Sequence, residues 1–286
     1  MKAKAAVLAV LCGIILCPDS AVAEDASSYG LRDRGPGVST SLTGIYVNDG
    51  EWLGSATYQN LENRGFQYAP EEFGFPDEND YLGKYKFSGG IFFAGYGLSD
   101  SVSLGLKVTG GSAKFNKASD DPSALPAEVK ESGLGEVAPE LTWRFMRETA
   151  SRPELFTYVS VLIPHDSDNR LLGTEDWVVL PGIGINRGFS WATLSARMGF
   201  EYDTASTSTL DFGQWTVEGQ RRFSDAWWLS AGLVGTVGGG NNFDEVWQTT
   251  YVEWSANPHV TVRFGSRIGL TTMTEGWTGE LGIVIR

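Results

Sequence analysis

The sequence predicts an all-β fold, a transmembrane antiparallel β-barrel of about twelve strands. Three observations lead there. Apolar and polar residues alternate with period two over stretches of about 10 residues, punctuated by turn residues. No run of 18 or more apolar residues follows Ala23, so the mature chain offers no transmembrane helix. The composition is rich in residues that barrels use, with 36 Gly, 10 Trp, 10 Tyr and 15 Phe among 286 residues.

The first element is an address. Lys2 and Lys4 precede an apolar stretch from Ala5 to Cys17, and Ala21-Val22-Ala23 is a small-x-small cleavage site. Residues 1–23 read as a cleaved signal peptide, leaving 24–286 as a single barrel. An N-terminal anchor is the alternative, but the run is short for a span. Leu16 ahead of Cys17 argues against a lipoprotein. Both cysteines leave with the leader, which excludes disulfides, thiol catalysis and cysteine metal sites in the mature chain.

The strands follow in order. One comes from the region Thr40–Leu61, where Asn48-Asp49-Gly50 could be a hairpin turn. A bulge there keeps the strand number even. On Tyr85–Tyr96, Tyr85, Phe87, Gly89, Ile91 and Phe93 oppose Lys86, Ser88, Gly90 and Phe92. On Ser101–Thr109, Val102, Leu104, Leu106 and Val108 oppose Ser103, Gly105, Lys107 and Thr109. On Glu136–Phe145, Val137, Pro139, Leu141, Trp143 and Phe145 oppose Glu136, Ala138, Glu140, Thr142 and Arg144. Strands with a less regular phase fit at Leu155–Pro164, Trp177–Asn186, Thr209–Arg222, Trp227–Val237 and Val246–Trp254. Trp191–Tyr202, His259–Thr271 and the last segment, from Trp277, alternate cleanly. Only Ser123–Glu131, inside a polar stretch, could form a short helix.

Short turns at Gly97–Asp100, Asn186–Gly188, Phe223–Asp225 and Asn257-Pro258 read as the periplasmic side. The stretches Glu62–Gly83, Lys114–Ser132, Ser167–Glu175 and Gly238–Asp244 read as outer loops. A soluble sandwich or ligand-binding barrel would also alternate. Aromatics at strand ends (Trp143, Phe145, Tyr202, Trp227, Trp254, Trp277) and long apolar faces without charge favour the membrane, where interface girdles belong.

If the apolar face meets lipid, the charges opposite it line the lumen. Lys86, Lys107, Arg144, Arg197, Arg263 and Arg267 balance Glu136, Glu140, Glu201, Glu218, Glu253 and Glu280. Two roles follow. These side chains could pair across strands and stiffen the wall. Alternatively, Arg144, Arg197, Arg263 and Arg267, beside carboxylates such as Glu140 and Glu280, could form the solute path, as rings of charge do in pores.

Several classes are excluded. The net charge of −13 leaves no basic face for nucleic acid. No phosphate loop, nucleotide fold, metal-ligand pair or cofactor motif is present. Acidic residues crowd the loops (Glu71, Glu72, Asp77, Glu78, Asp80, Asp120, Asp121, Asp166, Asp168), a setting hard cations favour, but the EF-hand spacing is absent. The chain has two histidines, His165 and His259, and no G-x-S-x-G elbow. An outer-membrane lipid-modifying enzyme with His165 as base is the runner-up, and a structural barrel with a closed lumen is the third reading.

The middle of the chain carries a family signature. Gly133-Leu134-Gly135-Glu136-Val137-Ala138-Pro139 runs into Leu141-Thr142-Trp143-Arg144-Phe145, then Pro153, then Val159–Pro164. This resembles the outer-membrane barrel family named for the MetA pathway of phenol degradation, over Tyr85 to Arg286. The chain departs from that family's pattern in Glu136 for Asp, in His165-Asp166 after Pro164, and in its terminal Arg286. The resemblance implies passive uptake of small, aromatic or hydrophobic solutes, with outer-membrane lipid and the solute as partners and no cofactor. The sequence does not set the oligomeric state.

Overall fold

Strands long enough to cross a bilayer need about 10 residues, and here all twelve have nine or more and close on themselves without an edge. They are β1 (Trp52–Tyr68), β2 (Tyr81–Ser99), β3 (Val102–Asn116), β4 (Glu128–Met146), β5 (Glu154–Leu162), β6 (Val178–Gly188), β7 (Thr193–Asp203), β8 (Asp211–Arg222), β9 (Trp227–Thr236), β10 (Glu245–Asn257), β11 (Val260–Gly269) and β12 (Gly276–Ile285). The computed structural model describes residues 47, 49–77, 79–149, 151–164, 171–174, 176–189, 191–204, 211–236, 245–257 and 259–285. The proposed leader, both cysteines, Asn48, His165, Asp166 and Asp168 lie outside them.

Each strand pairs antiparallel with its sequence neighbour, and β1 closes the ring against β12, from Gly54 opposite Ile285 to Asn63 opposite Gly276. Closure removes the free edge that would otherwise invite aggregation. Ahead of β1, Gly50 takes a left-handed φ of 71°, and its N–H donates to Gly97 O. Asp49-Gly50 is thus a turn that leads into the barrel, and the region supplies one strand among the described residues.

Strand length departs from expectation at one end. β1 continues to Tyr68, β3 to Asn116, and β4 starts at Glu128, so the first two loops shrink to residues 69–80 and 117–127. Residues 123–131 are not helical: Glu128 to Glu131 already belong to β4. The reason is pairing. Lys84 to Asn116 and Glu128 to Asn116 join one ladder across β2, β3 and β4, which outweighs weak local helix propensity. The tight turns lie at the opposite end, at residues 100–101 and 223–226. The expected turn at Asn186–Gly188 is instead the end of β6, because Asn186, Arg187 and Gly188 pair with Ser195, Leu194 and Thr193 of β7.

The outward face is apolar. Leu104, Leu141, Met198, Phe264, Leu281 and Ile283 are exposed there. Trp143, Phe145, Trp227 and Trp254 ring the short-turn end, and Tyr202, Phe212 and Trp277 ring the long-loop end. Trp227 and Trp254 face each other across β9 and β10, with ring centroids 6.2 Å apart. An exposed apolar band between two aromatic girdles suits a bilayer's hydrocarbon and its two interfaces. No helix in the described residues is long and apolar enough to cross a membrane.

Candidate functional site: the barrel lumen

Period-two geometry puts every second side chain inside, and register then decides which of them meet. All six residues proposed for the solute path point inward, but they do not form one ladder. They fall into three groups, each neutralised by carboxylates.

The largest group spans β8 to β12 and reaches β1. Arg267 Nε lies 2.7 Å from Glu280 Oε1 and donates to Tyr251 Oη at 3.3 Å. The Arg263 guanidinium lies 3.5 Å from the Tyr251 ring centroid and pairs with Glu253 at 3.8 Å. Gln220 donates to Glu253 from β8, and Gln59 donates to Glu280 from β1. Gly265 gives the Tyr251 ring room to lie flat on the wall. The second group repeats the device: Arg197 covers the Tyr158 ring at 3.5 Å and reaches Glu140 at 3.3 Å. That bond joins β7 to β4 over the two strands between them. In the third, near the short-turn end, Arg144 Nη1 donates to Glu154 Oε2 at 3.0 Å, and Asn186 donates to Glu154 Oε1 at 2.7 Å. Charge-assisted bonds among buried groups hold geometry tightly. These groups make β4–β12 a stiff, densely filled wall.

The opposite side of the lumen differs. On β2 the expected phase is reversed: Lys86 points outward and pairs with Glu62 at 3.2 Å, above the apolar band. Tyr85, Phe87, Ile91 and Phe93 point inward. The reason is that the polar residues of β2, Lys84, Lys86 and Ser88, lie toward the long-loop end of the outward face, while from Gly89 to Tyr96 both faces are apolar, so the strand's own alternation points the wrong way. Pairing sets it: Ala56 and Leu106, both outward, sit opposite Phe92 and Ala94. The Phe93 ring lies over Gly105, and Phe87 lies over Gly89 and Gly111. Lys107 and Glu136 face this stripe, paired at 2.9 Å. A bulge between β3 and β4 positions Glu136, whose backbone N–H donates to Thr109 Oγ1 at 2.7 Å. The glycines were the available signal: Gly89, Gly105 and Gly111 share the inward face of two adjacent strands.

The long-loop end is narrowed by an aromatic cluster. Tyr68, Phe115, Ala118 and Leu125 are buried together, with Phe66, Phe73, Phe75, Tyr81 and Leu171 packed around them. Tyr68 and Phe115 meet edge to face at 4.6 Å, and Phe73 stacks on Phe115 at 5.1 Å. Tyr68 Oη donates to Asp121 Oδ2 at 2.8 Å and accepts from Ala118 N–H at 2.9 Å. Tyr85 Oη donates to Leu171 O, tying a loop segment to the lumen wall. Burial works against the Asp121 carboxylate, but hydrogen bonds from Ser123 and Tyr68 and the charge of Lys117 outweigh it and hold the group below its ordinary range.

Two of the acidic loop residues have local partners. Asp77 accepts from Asn79 and Tyr81, and Asp121 from Ser123 and Tyr68. Among the described residues no three His, Cys, Asp or Glu side chains converge in a metal-binding group. His259 sits in a turn, its N–H donating to Asn257 Oδ1.

No family model matches the chain. No curated protein matches it. Among solved structures it is similar to the "COG4313 outer membrane channel from Pseudomonas putida F1", at 17% identity and a TM-score of 0.61, covering 84% of this chain and 96% of that one. It also matches the KdgM porin, at 7% identity and a TM-score of 0.49, covering 81% and 98%. A third match is the translocator domain of the autotransporter NalP from Neisseria meningitidis, at 10% identity and a TM-score of 0.48, covering 84% and 90%. The first of these likenesses establishes the fold: a closed twelve-stranded antiparallel barrel of the outer-membrane kind.

Proposed function

We propose that the protein is a passive channel of the bacterial outer membrane that admits small solutes, aromatic or hydrophobic ones among them. The carrying observation is the division of the barrel into an apolar outer band between two aromatic girdles and a lumen containing both charged and apolar walls. The first is a surface for outer-membrane lipid; the second gives a solute path both charged and apolar boundaries. Arg144, Arg197, Arg263, Arg267, Glu140 and Glu280 form the braced wall that bounds the solute path. The signature from Gly133 to Phe145 supports membership of the family named for the MetA pathway. Channel action needs no cofactor, and no catalytic constellation is assigned.

The test is uptake. Cells with the protein should accumulate a panel of labelled small aromatic solutes faster than cells without it, and the protein should fractionate with the outer membrane. Recovery as a soluble periplasmic monomer without detergent would remove the barrel reading. Equal uptake in both strains would leave a structural barrel with a closed lumen.

A further inference from the structure

Resting on the channel reading, we infer that the solute path follows β2–β4 and that the Lys107–Glu136 pair, facing Phe87, Ile91 and Phe93, is its selective element. The solute class that fits is an uncharged aromatic ring bearing one hydrogen-bonding group.

The argument begins with solvent access. The side chains of Lys107 and Glu136 are 43% and 38% exposed inside the lumen. Those of Arg263 and Glu253 are 12% and 3% exposed, and those of Arg267 and Glu280 are 19% and 4%. Arg144 and Glu154 are equally enclosed, at 12% and 2%. Arg197 and Glu140 are intermediate, at 22% and 23%. Space for a solute therefore adjoins Lys107 and Glu136 most, whereas the Arg144, Arg263 and Arg267 groups are filled in and serve as bracing. Register reinforces this: Lys107 sits opposite Phe93, and Thr109 opposite Ile91. A solute passing the pair thus slides against an apolar surface on β2.

The chemistry of the two faces sets the selectivity. The pair has no net charge, so its field favours neither anions nor cations. Lys107 keeps donors that Glu136 does not use, and Glu136 keeps acceptor lone pairs. A hydroxyl can thus donate to the carboxylate and accept from the ammonium at once. The ring meanwhile lies on Phe87, Ile91 or Phe93, where offset or edge contacts are favourable. A pure hydrocarbon gains only the second contact. A carboxylate loses part of what it gains from Lys107 to repulsion by Glu136.

Three probes that share a ring and a one-carbon substituent separate these terms: benzyl alcohol, benzoate and toluene. Uptake of each, labelled and at low concentration, is measured in cells expressing equal surface amounts of the full-length protein. Wild type should favour benzyl alcohol. Lys107→Met with Glu136→Met should lower benzyl alcohol uptake about tenfold, the worth of one charge-assisted hydrogen bond, and spare toluene. The exchanged pair, Lys107→Glu with Glu136→Lys, should restore it. Glu136→Gln, which leaves the lysine charge unopposed, should shift preference toward benzoate. Arg222→Gln with Asp225→Asn, an ion pair in the turn after β8 and outside the lumen, should leave the ratio of the three probes unchanged. An unmoved ratio in the Lys107 and Glu136 variants, beside a wild type that transports, overturns this inference and leaves the channel intact. A wild type that transports none of the three overturns the channel reading as well. If the double Met variant fails to reach the membrane, the Glu136→Gln ratio decides, and no shift toward benzoate refutes the proposal.

Discussion

The mouth cluster makes the most exacting prediction. Gly83, on β2, sits under the rings of Phe115 and Tyr68. A methyl group placed there as Gly83→Ala would lie 2.6 Å from Phe115 Cε2, 2.8 Å from the backbone oxygen of Asn116 and 3.0 Å from Tyr68 Cε1. Ordinary carbon contacts fall at about 3.5–4.0 Å, so the ring of Phe115 must retreat by roughly 1 Å. It has nowhere to go: Phe115 is 0% and Tyr68 1% exposed, and Phe73 stacks on the far side of Phe115. The third neighbour is backbone, held in the β2–β3 ladder. Overpacking of this kind costs about 1–3 kcal/mol. Loosening the Tyr68–Phe115 edge contact adds about 0.5–1.5 kcal/mol. Gly83→Ala should therefore destabilise the protein by about 2–4 kcal/mol. The assay is urea unfolding of vesicle-inserted protein followed by tryptophan fluorescence, with protease cleavage of residues 117–127 as the local readout. Gly54→Ala is the control, because nothing lies within 4 Å of the added carbon. Phe115→Leu in the Gly83→Ala background should recover part of the loss by freeing the space. Equal midpoints for the two Ala variants, or no recovery in the double variant, would show that the aromatic rings do not press on β2 as described.

Two further outcomes follow from the faces and the loops. Leu104→Arg places a charge on the lipid side of β3 and should cost about 2–4 kcal/mol if it lies near the midplane. Lys107→Arg, on the same strand but inside, should be close to neutral by the same unfolding assay. The Asp121 carboxylate is held below its ordinary value of 3.8, so its contribution to stability is complete above that value. The contribution fades as pH falls through the depressed one. Hydrogen exchange of residues 117–127 should accordingly rise in acid, and Asp121→Asn should raise it already at neutral pH. Exchange independent of both changes would detach Asp121 from the Tyr68 contact.

The sequence by itself determined the barrel, the strand number and the facing of most strands. That information is local. On β3, Leu104 and Leu106 alternate with Ser103, Gly105 and Lys107, and a period-two pattern with unlike faces names its own lipid side. The same holds for Leu281 and Ile283 against Thr278 and Glu280 on β12. It failed on β2, where Phe92 and Phe93 are neighbours and the polar Lys86 and Ser88 sit at one end of the outward face. There only pairing with β1 and β3 could say that Phe93 points in and Lys86 out. Tertiary structure also decided which charges meet. Arg197 reaches Glu140 from three strands away, and Arg267 meets Glu280 because β11 and β12 align Gly265 with that glutamate. Such partners are set by register, shear and the curvature of the closed wall, which no window of ten residues contains. The aromatic mouth was hidden for the same reason: Tyr68 on β1, Phe115 on β3 and Leu171 are far apart in the chain and meet only once β1 and β3 pair on either side of β2.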